Sequence, residues 1–177
     1  MKKLIIFLII VATLSLGYFG YLILSDMEKT NEKRMTESNI EDIRDSTGGA
    51  KTDEEIAAFK EQGLNPFGQH TPQDKLTDTD YQEYIHGMSH QKVKAEQKWG
   101  FYQINEERIN WLLEGLDLVK LNHEHTYRTI LEKWAKGDFS TADDDHNAIW
   151  QLQGGTIGRA TGILSPEEEK AYIRSQR

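Results

Sequence analysis

Asp143-Asp-Asp-His-Asn-Ala-Ile-Trp-Gln-Leu-Gln-Gly-Gly-Thr-Ile-Gly-Arg-Ala-Thr-Gly-Ile-Leu164 is the stretch on which the reading of the fold turns. His146, Trp150, Gly154, Gly158 and Gly162 recur in it at steps of four. On a helix these positions form one slowly drifting stripe, bulky at its start and bare at its end, and a bare stripe lets a second helix approach closely. The alternative is a break at Gly154-Gly155 followed by a loop. The steps of four favour a continuous or kinked helix, provided a tight contact offsets the roughly 1 kcal/mol that each interior glycine costs. Ser140-Thr-Ala-Asp143 opens this helix, with three successive aspartates where the macrodipole favours negative charge.

Helical signals flank this stretch on both sides. Downstream, Ser165-Pro166-Glu-Glu168 has a serine cap, proline in the first helical position and glutamate three after the cap, and it opens a last helix carrying Ala171, Tyr172 and Ile173. Upstream, Asn122 either caps a helix or continues the preceding one through a bend, with Tyr127, Ile130, Leu131 and Trp134 as apolar positions and an end near Gly137. Asn105 caps Glu106 to about Leu121, where Ile109, Leu112, Leu113, Leu116 and Val119 mark an amphipathic face. Thr77 to Lys98 reads as a long helix with Tyr81, Ile85, Met88 and Ala95 near one side, ended by Gly100. Thr52-Asp-Glu-Glu55 has the form of a capping box for a short helix ending at Gly63. No segment alternates with period two between hairpin turns. The expected fold is therefore all-α, with about four main helices bundled within residues 53–177 and a packed core over about 70–177.

The N-terminus reads differently. Leu4 to Leu24 is an uninterrupted uncharged run with Lys2 and Lys3 before it, and twenty-one helical residues match a bilayer core of about 30 Å. It is longer than a signal-peptide apolar region and lacks a small-x-small cleavage site, so it is expected to be an uncleaved single transmembrane helix, residues 1–25. The positive-inside rule leaves the N-terminus in the cytoplasm and the C-terminal domain outside, in the cell membrane of a single-pass protein. Residues 26–52 are hydrophilic with no sustained periodicity, and form a flexible polar linker. The chain has no cysteine, so no disulfide supports the exported part. Its formal charge of −8 becomes −10 once Lys2 and Lys3 are set aside. That excludes nucleic acid as the expected partner.

All six histidines lie between positions 70 and 146. His86 and His90 stand four apart on the expected helix, the spacing that lets two imidazoles reach one metal ion. Gly87 follows His86, so the His-Glu-x-x-His pattern with its general-base glutamate is absent, and Tyr127 breaks the same pattern after His123. A divalent metal such as zinc would need His86, His90 and His146 to converge across the bundle, with Asp143 or His123 as an optional further ligand. The plainer expectation is that these histidines are structural and that no cofactor binds. Asp143-Asp-Asp145 lacks the alternation and distal glutamate of an EF-hand, and is read as helix capping. The glycine-rich segment has neither the spacing nor the strand context of a phosphate cradle. With no cysteine nucleophile and no Gly-x-Ser-x-Gly elbow, the sequence assigns no catalytic residue. A binding surface is expected at His146, Trp150, Gln153, Gly154, Gly155 and Gly158, serving an envelope protein or, through the glycine stripe, a second copy of the chain.

Tyr84-Ile-His-Gly-Met-Ser-His-Gln-Lys-Val93, Trp99-Gly-Phe-Tyr102 and His146-Asn-x-x-Trp-x-Leu-Gln-Gly-Gly155 together resemble a family of small, uncharacterised membrane-anchored proteins of Bacillus-type Gram-positive bacteria. The resemblance covers most of the chain after about Asp80. It implies an envelope location and carries no assigned activity. The sequence thus leads to an extracytoplasmic binding or interaction module, with a histidine-based metal-binding enzyme or sensor as the alternative.

Overall fold

Capping chemistry fixes most helix starts in the computed structural model, which describes residues 52–177. Thr52 and Glu55 exchange both bonds of a capping box at the start of α1, Asp53–Glu61. Thr77 and Asp80 do the same for α2, Asp78–Ser89, and Asn105 accepts from the Arg108 N–H at the start of α3, Glu106–Leu116. Two helices, α4 (Glu124–Ala135) and α5 (Ala142–Leu152), start without a side-chain cap. The expected Asn122 cap is corrected: His123 takes that position, while Asn122 donates its backbone N–H and its Nδ2 to Asp78 Oδ2, at 3.0 and 2.9 Å. That pins the start of α4 to the start of α2. Ser165 and Glu168 form the third capping box, with Pro166 first in α6, Pro166–Ser175.

Between α2 and α3, and again between α5 and α6, the chain runs as short strands. β1 (Val93–Ala95) pairs antiparallel with β2 (Ala160–Ile163), Val93 opposite Ile163 and Lys94 opposite Gly162, with an irregularity before Ala95 meets Ala160. Asn147 of α5 holds β2 from its other side, donating Nδ2–H to the Ala160 carbonyl at 3.1 Å and accepting the Ala160 N–H at 2.8 Å. One side-chain amide thus satisfies both backbone groups of a buried residue, as a third strand would.

The expected all-α bundle of about four main helices is therefore corrected. The described residues form six α-helices, a short 3-10 helix at Gln73–Lys75 and a two-stranded sheet. The long helix expected over Thr77–Lys98 stops at Ser89, because Val93 is worth more buried against β2 and α5 than continuing a helix. The helix expected to continue through Gly162 stops at Leu152. Gly154 and Gly158 have φ of +67° and +88°, left-handed values incompatible with a right-handed helix, so the chain breaks at Gly154-Gly155. Consequently the glycines form no helix face, which removes the contact on which self-association was expected. The expected transmembrane helix and most of the linker lie outside the described residues, and among those described no helix is long and apolar enough to cross a membrane.

The core is aromatic. Phe67 stacks on Tyr84 with ring centroids 3.8 Å apart and meets the edge of Tyr102 at 5.0 Å, while Tyr81 stacks on Tyr127 at 5.4 Å. Burial reaches back to Ile56 and Phe67, before residue 70. Packing of α2 on α5 and of α3 on α4 organises the rest, and the first of these contacts builds the site.

Candidate metal centre

His86 and His90 lie on adjacent turns at the C-terminal end of α2, because an α-helix returns to the same face after about four residues. His146 projects from α5, which packs on that face. The three rings form a closed triangle with centroid separations of 4.7 Å (His86 to His90), 4.5 Å (His86 to His146) and 5.4 Å (His90 to His146). One ligand nitrogen from each lies within 4.8 Å of the other two. A tetrahedral ion bonded at 2.0–2.1 Å holds its ligand atoms roughly 3.3 Å apart, so small side-chain rotations would close the triangle around one. His90 and His146 are 1% and 0% exposed, and His86 is half-buried. No carboxylate belongs to the cluster. Asp143 and His123, the other expected partners, are outside it.

Hydrogen bonds orient two of the rings. His90 Nδ1 lies 2.7 Å from the Gly100 carbonyl, which can only accept, so the proton is on Nδ1 and the lone pair is on Nε2. That is the outer-shell arrangement that fixes the tautomer of a metal-binding imidazole. His146 Nε2 meets the Gly158 carbonyl at 3.1 Å, and its Nδ1 lies 2.8 Å from Ser89 Oγ. The same Ser89 hydroxyl is 2.6 Å from the His86 carbonyl, so one proton serves two acceptors. Burial, more than any neighbouring charge, holds His90 well below the ordinary imidazole range and lowers His146 as well; the Gly100 and Gly158 carbonyls oppose this by favouring the protonated rings. Both shifts favour the neutral ring.

An acid-sensitive fold follows. Unfolded histidine takes up a proton near pH 6.5, where the folded chain keeps His90 and His146 neutral, so below that pH the unfolded state binds more protons. The melting temperature of the metal-free chain should be flat above about pH 7 and fall from there toward pH 5. Replacing His90 by glutamine should make the fall shallower. An equally steep fall in that variant would show that carboxylates elsewhere cause it.

The other residues expected at a binding surface lie on α5 and in the loop that follows it. Trp150 donates its Nε1–H to the Ile157 carbonyl at 2.8 Å, so its indole fills the crook of the loop after α5. A Cβ on Gly155 would run into that indole. Gln153 and Gly154 are exposed. Gly158 is buried, and a Cβ there would lie 2.7 Å from the Gln97 carbonyl oxygen in a left-handed backbone. Gly158→Ala should therefore destabilise the chain by about 1–3 kcal/mol in urea titrations. A change below about 0.5 kcal/mol would mean that the loop can relax away from Gln97.

Sequence reasoning missed three groups. Ser89 gave no signal beyond its place between the two histidines. Lys98, expected on the last turn of a long helix, instead donates its Nζ–H to the His90 carbonyl at 2.9 Å and lies over the Tyr172 ring at 4.0 Å. Asp145, read as a solvated capping charge, is buried and accepts from Trp134 Nε1 at 3.0 Å and Lys133 Nζ at 2.6 Å.

Residues 85–174 match a family described as "Family of unknown function (DUF6241)". No curated protein and no solved structure matches the chain. The family match spans just over half of the 177 residues and begins one residue before His86, so all three histidines of the cluster lie within it; the chain belongs to this family.

Proposed function

We propose that the chain is a binding module of the cell envelope whose ligand is a divalent transition-metal ion of the zinc type, held by His86, His90 and His146. The observation that carries the proposal is the convergence of three imidazoles from two packed helices, with ligand nitrogens within 4.8 Å of one another. Imidazole nitrogen suits zinc, copper and nickel, and a set without carboxylates disfavours magnesium and calcium. His90 binds through Nε2, since Nδ1 is committed to Gly100. His146 binds through Nδ1 once the Ser89 hydroxyl, 2.8 Å away, rotates off that lone pair, while the bond from Nε2 to the Gly158 carbonyl stays in place. The envelope setting is supported by sequence: the uncharged run Leu4–Leu24 with Lys2 and Lys3 ahead of it, in an otherwise acidic chain.

The full chain, purified without chelator, should carry close to one equivalent of metal by elemental analysis. Free metal at a hundred times its Kd adds about 2.7 kcal/mol of stability, so EDTA should lower the melting temperature by several degrees. No bound metal, no uptake of added Zn2+ and an unchanged melt would overturn the proposal and leave the histidines as core residues tied to Gly100 and Gly158.

A second reading, docking of an envelope protein, is favoured by Trp99 and Ile157, which are 52% and 49% exposed on segments that touch at Gln97 and Gly158. In that case Trp99→Ala abolishes partner binding and leaves metal content unchanged.

A further inference from the structure

We infer that a cleft bordered by α1, α3 and the turn at residues 64–66 binds a free α-amino acid with a branched or aromatic side chain. The cleft has a volume of about 150 Å3, and its apolar lining is Ile56, Leu64, Pro66 and Trp111. A space of that size takes a benzene ring, and so the end of a leucine or phenylalanine side chain. None of its residues belongs to the histidine cluster, so the inference is independent of the metal.

Charge narrows the ligand class. Lys60 of α1 and Glu107 of α3 also border the cleft. Both are exposed, and neither forms an ion pair among the described residues. Opposite charges that border one space without meeting suit a ligand that carries both. A purely apolar ligand would leave both unused, and a simple carboxylate would meet repulsion from Glu107. An α-amino acid offers its carboxylate to Lys60 Nζ and its ammonium to Glu107, beside a side chain of the right size.

The wall of the cleft is held in place by groups behind it. Asn65 Oδ1 accepts the Phe67 and Gln69 N–H groups at 2.9 and 3.1 Å, and its Nδ2 donates to the Thr71 carbonyl at 3.0 Å. Arg108, 0% exposed, donates Nε–H to the Pro66 carbonyl at 2.9 Å. With the turn already fixed, binding need not order it.

Saturation-transfer NMR on the full chain, with L-phenylalanine as the probe and EDTA present so that the amino acid cannot chelate a metal elsewhere, tests the site. Saturable binding is expected with a Kd of about 1 mM or lower, the range open to a ligand of about a dozen heavy atoms. Lys60→Met and Glu107→Gln alter exposed side chains, leave the fold intact, and should each weaken binding about fivefold. N-acetyl-L-phenylalanine lacks the ammonium; it should bind less tightly than phenylalanine and lose no affinity in Glu107→Gln. No saturation up to about 10 mM, or parental affinity in both variants, would overturn the inference. Equal binding of the acetylated and free forms would overturn the assignment to an amino acid.

Discussion

His86→Ala should weaken Zn2+ binding by at least about a hundredfold while leaving the helical signal and the denaturation midpoint of the metal-free chain nearly unchanged. The magnitude is a lower bound, since loss of an outer-shell partner of a metal ligand alone costs about 10–100-fold. His86 is the informative position because it is half-buried, whereas His90 and His146 are closed to solvent and tied to the backbone. For those two, His90→Gln and His146→Gln fill most of the space, and each should reduce affinity comparably at some cost in stability. Competition titration against a chromophoric chelator gives the affinities, and circular dichroism on the same samples reports the fold. Zn2+ affinity within about threefold of the parent in His86→Ala would remove that ring from the metal's ligands.

The largest loss of stability is expected at Trp134. Its indole is 2% exposed in the aromatic core, and its Nε1–H is one of two donors to the buried Asp145 carboxylate. Trp134→Ala removes the packing and leaves Asp145 with Lys133 alone, so a cost of about 3–5 kcal/mol is expected from the cavity, with more from the stranded carboxylate. Against a typical total of about 5–15 kcal/mol, that brings the chain close to unfolding at room temperature. Trp134→Phe keeps most of the volume and should cost about 1–3 kcal/mol, mainly the hydrogen bond. Urea titrations with unchanged slope would report both values. A Trp134→Ala midpoint corresponding to under 1 kcal/mol would mean that the helices repack around the gap.

Helix starts were legible because capping is local. Thr52 with Glu55 and Ser165 with Glu168 place donor and acceptor within four residues, and no distant contact can move them. The strands were not legible. Val93–Ala95 offers one alternation, Val in and Lys out, too short to separate from a helix turn, and its partner lies far along the chain. The same competition ended the glycine stripe: steps of four satisfied a helix period, but left-handed glycines and a waiting strand partner won. Of the site, the spacing of His86 and His90 was readable as a shared helix face. The arrival of His146 depends on α2 packing against α5, and the approach of Lys98 depends on the chain turning back after β1. No local pattern encodes either.

X-ray absorption at the zinc edge of the metal-loaded full chain tests the central claim most directly. Convergence of His86, His90 and His146 on one ion predicts a four-coordinate first shell near 2.0–2.1 Å with the outer-shell scattering of three imidazoles, reduced to two in His86→Ala. An oxygen-dominated shell, or a spectrum that His86→Ala leaves unchanged, would contradict it.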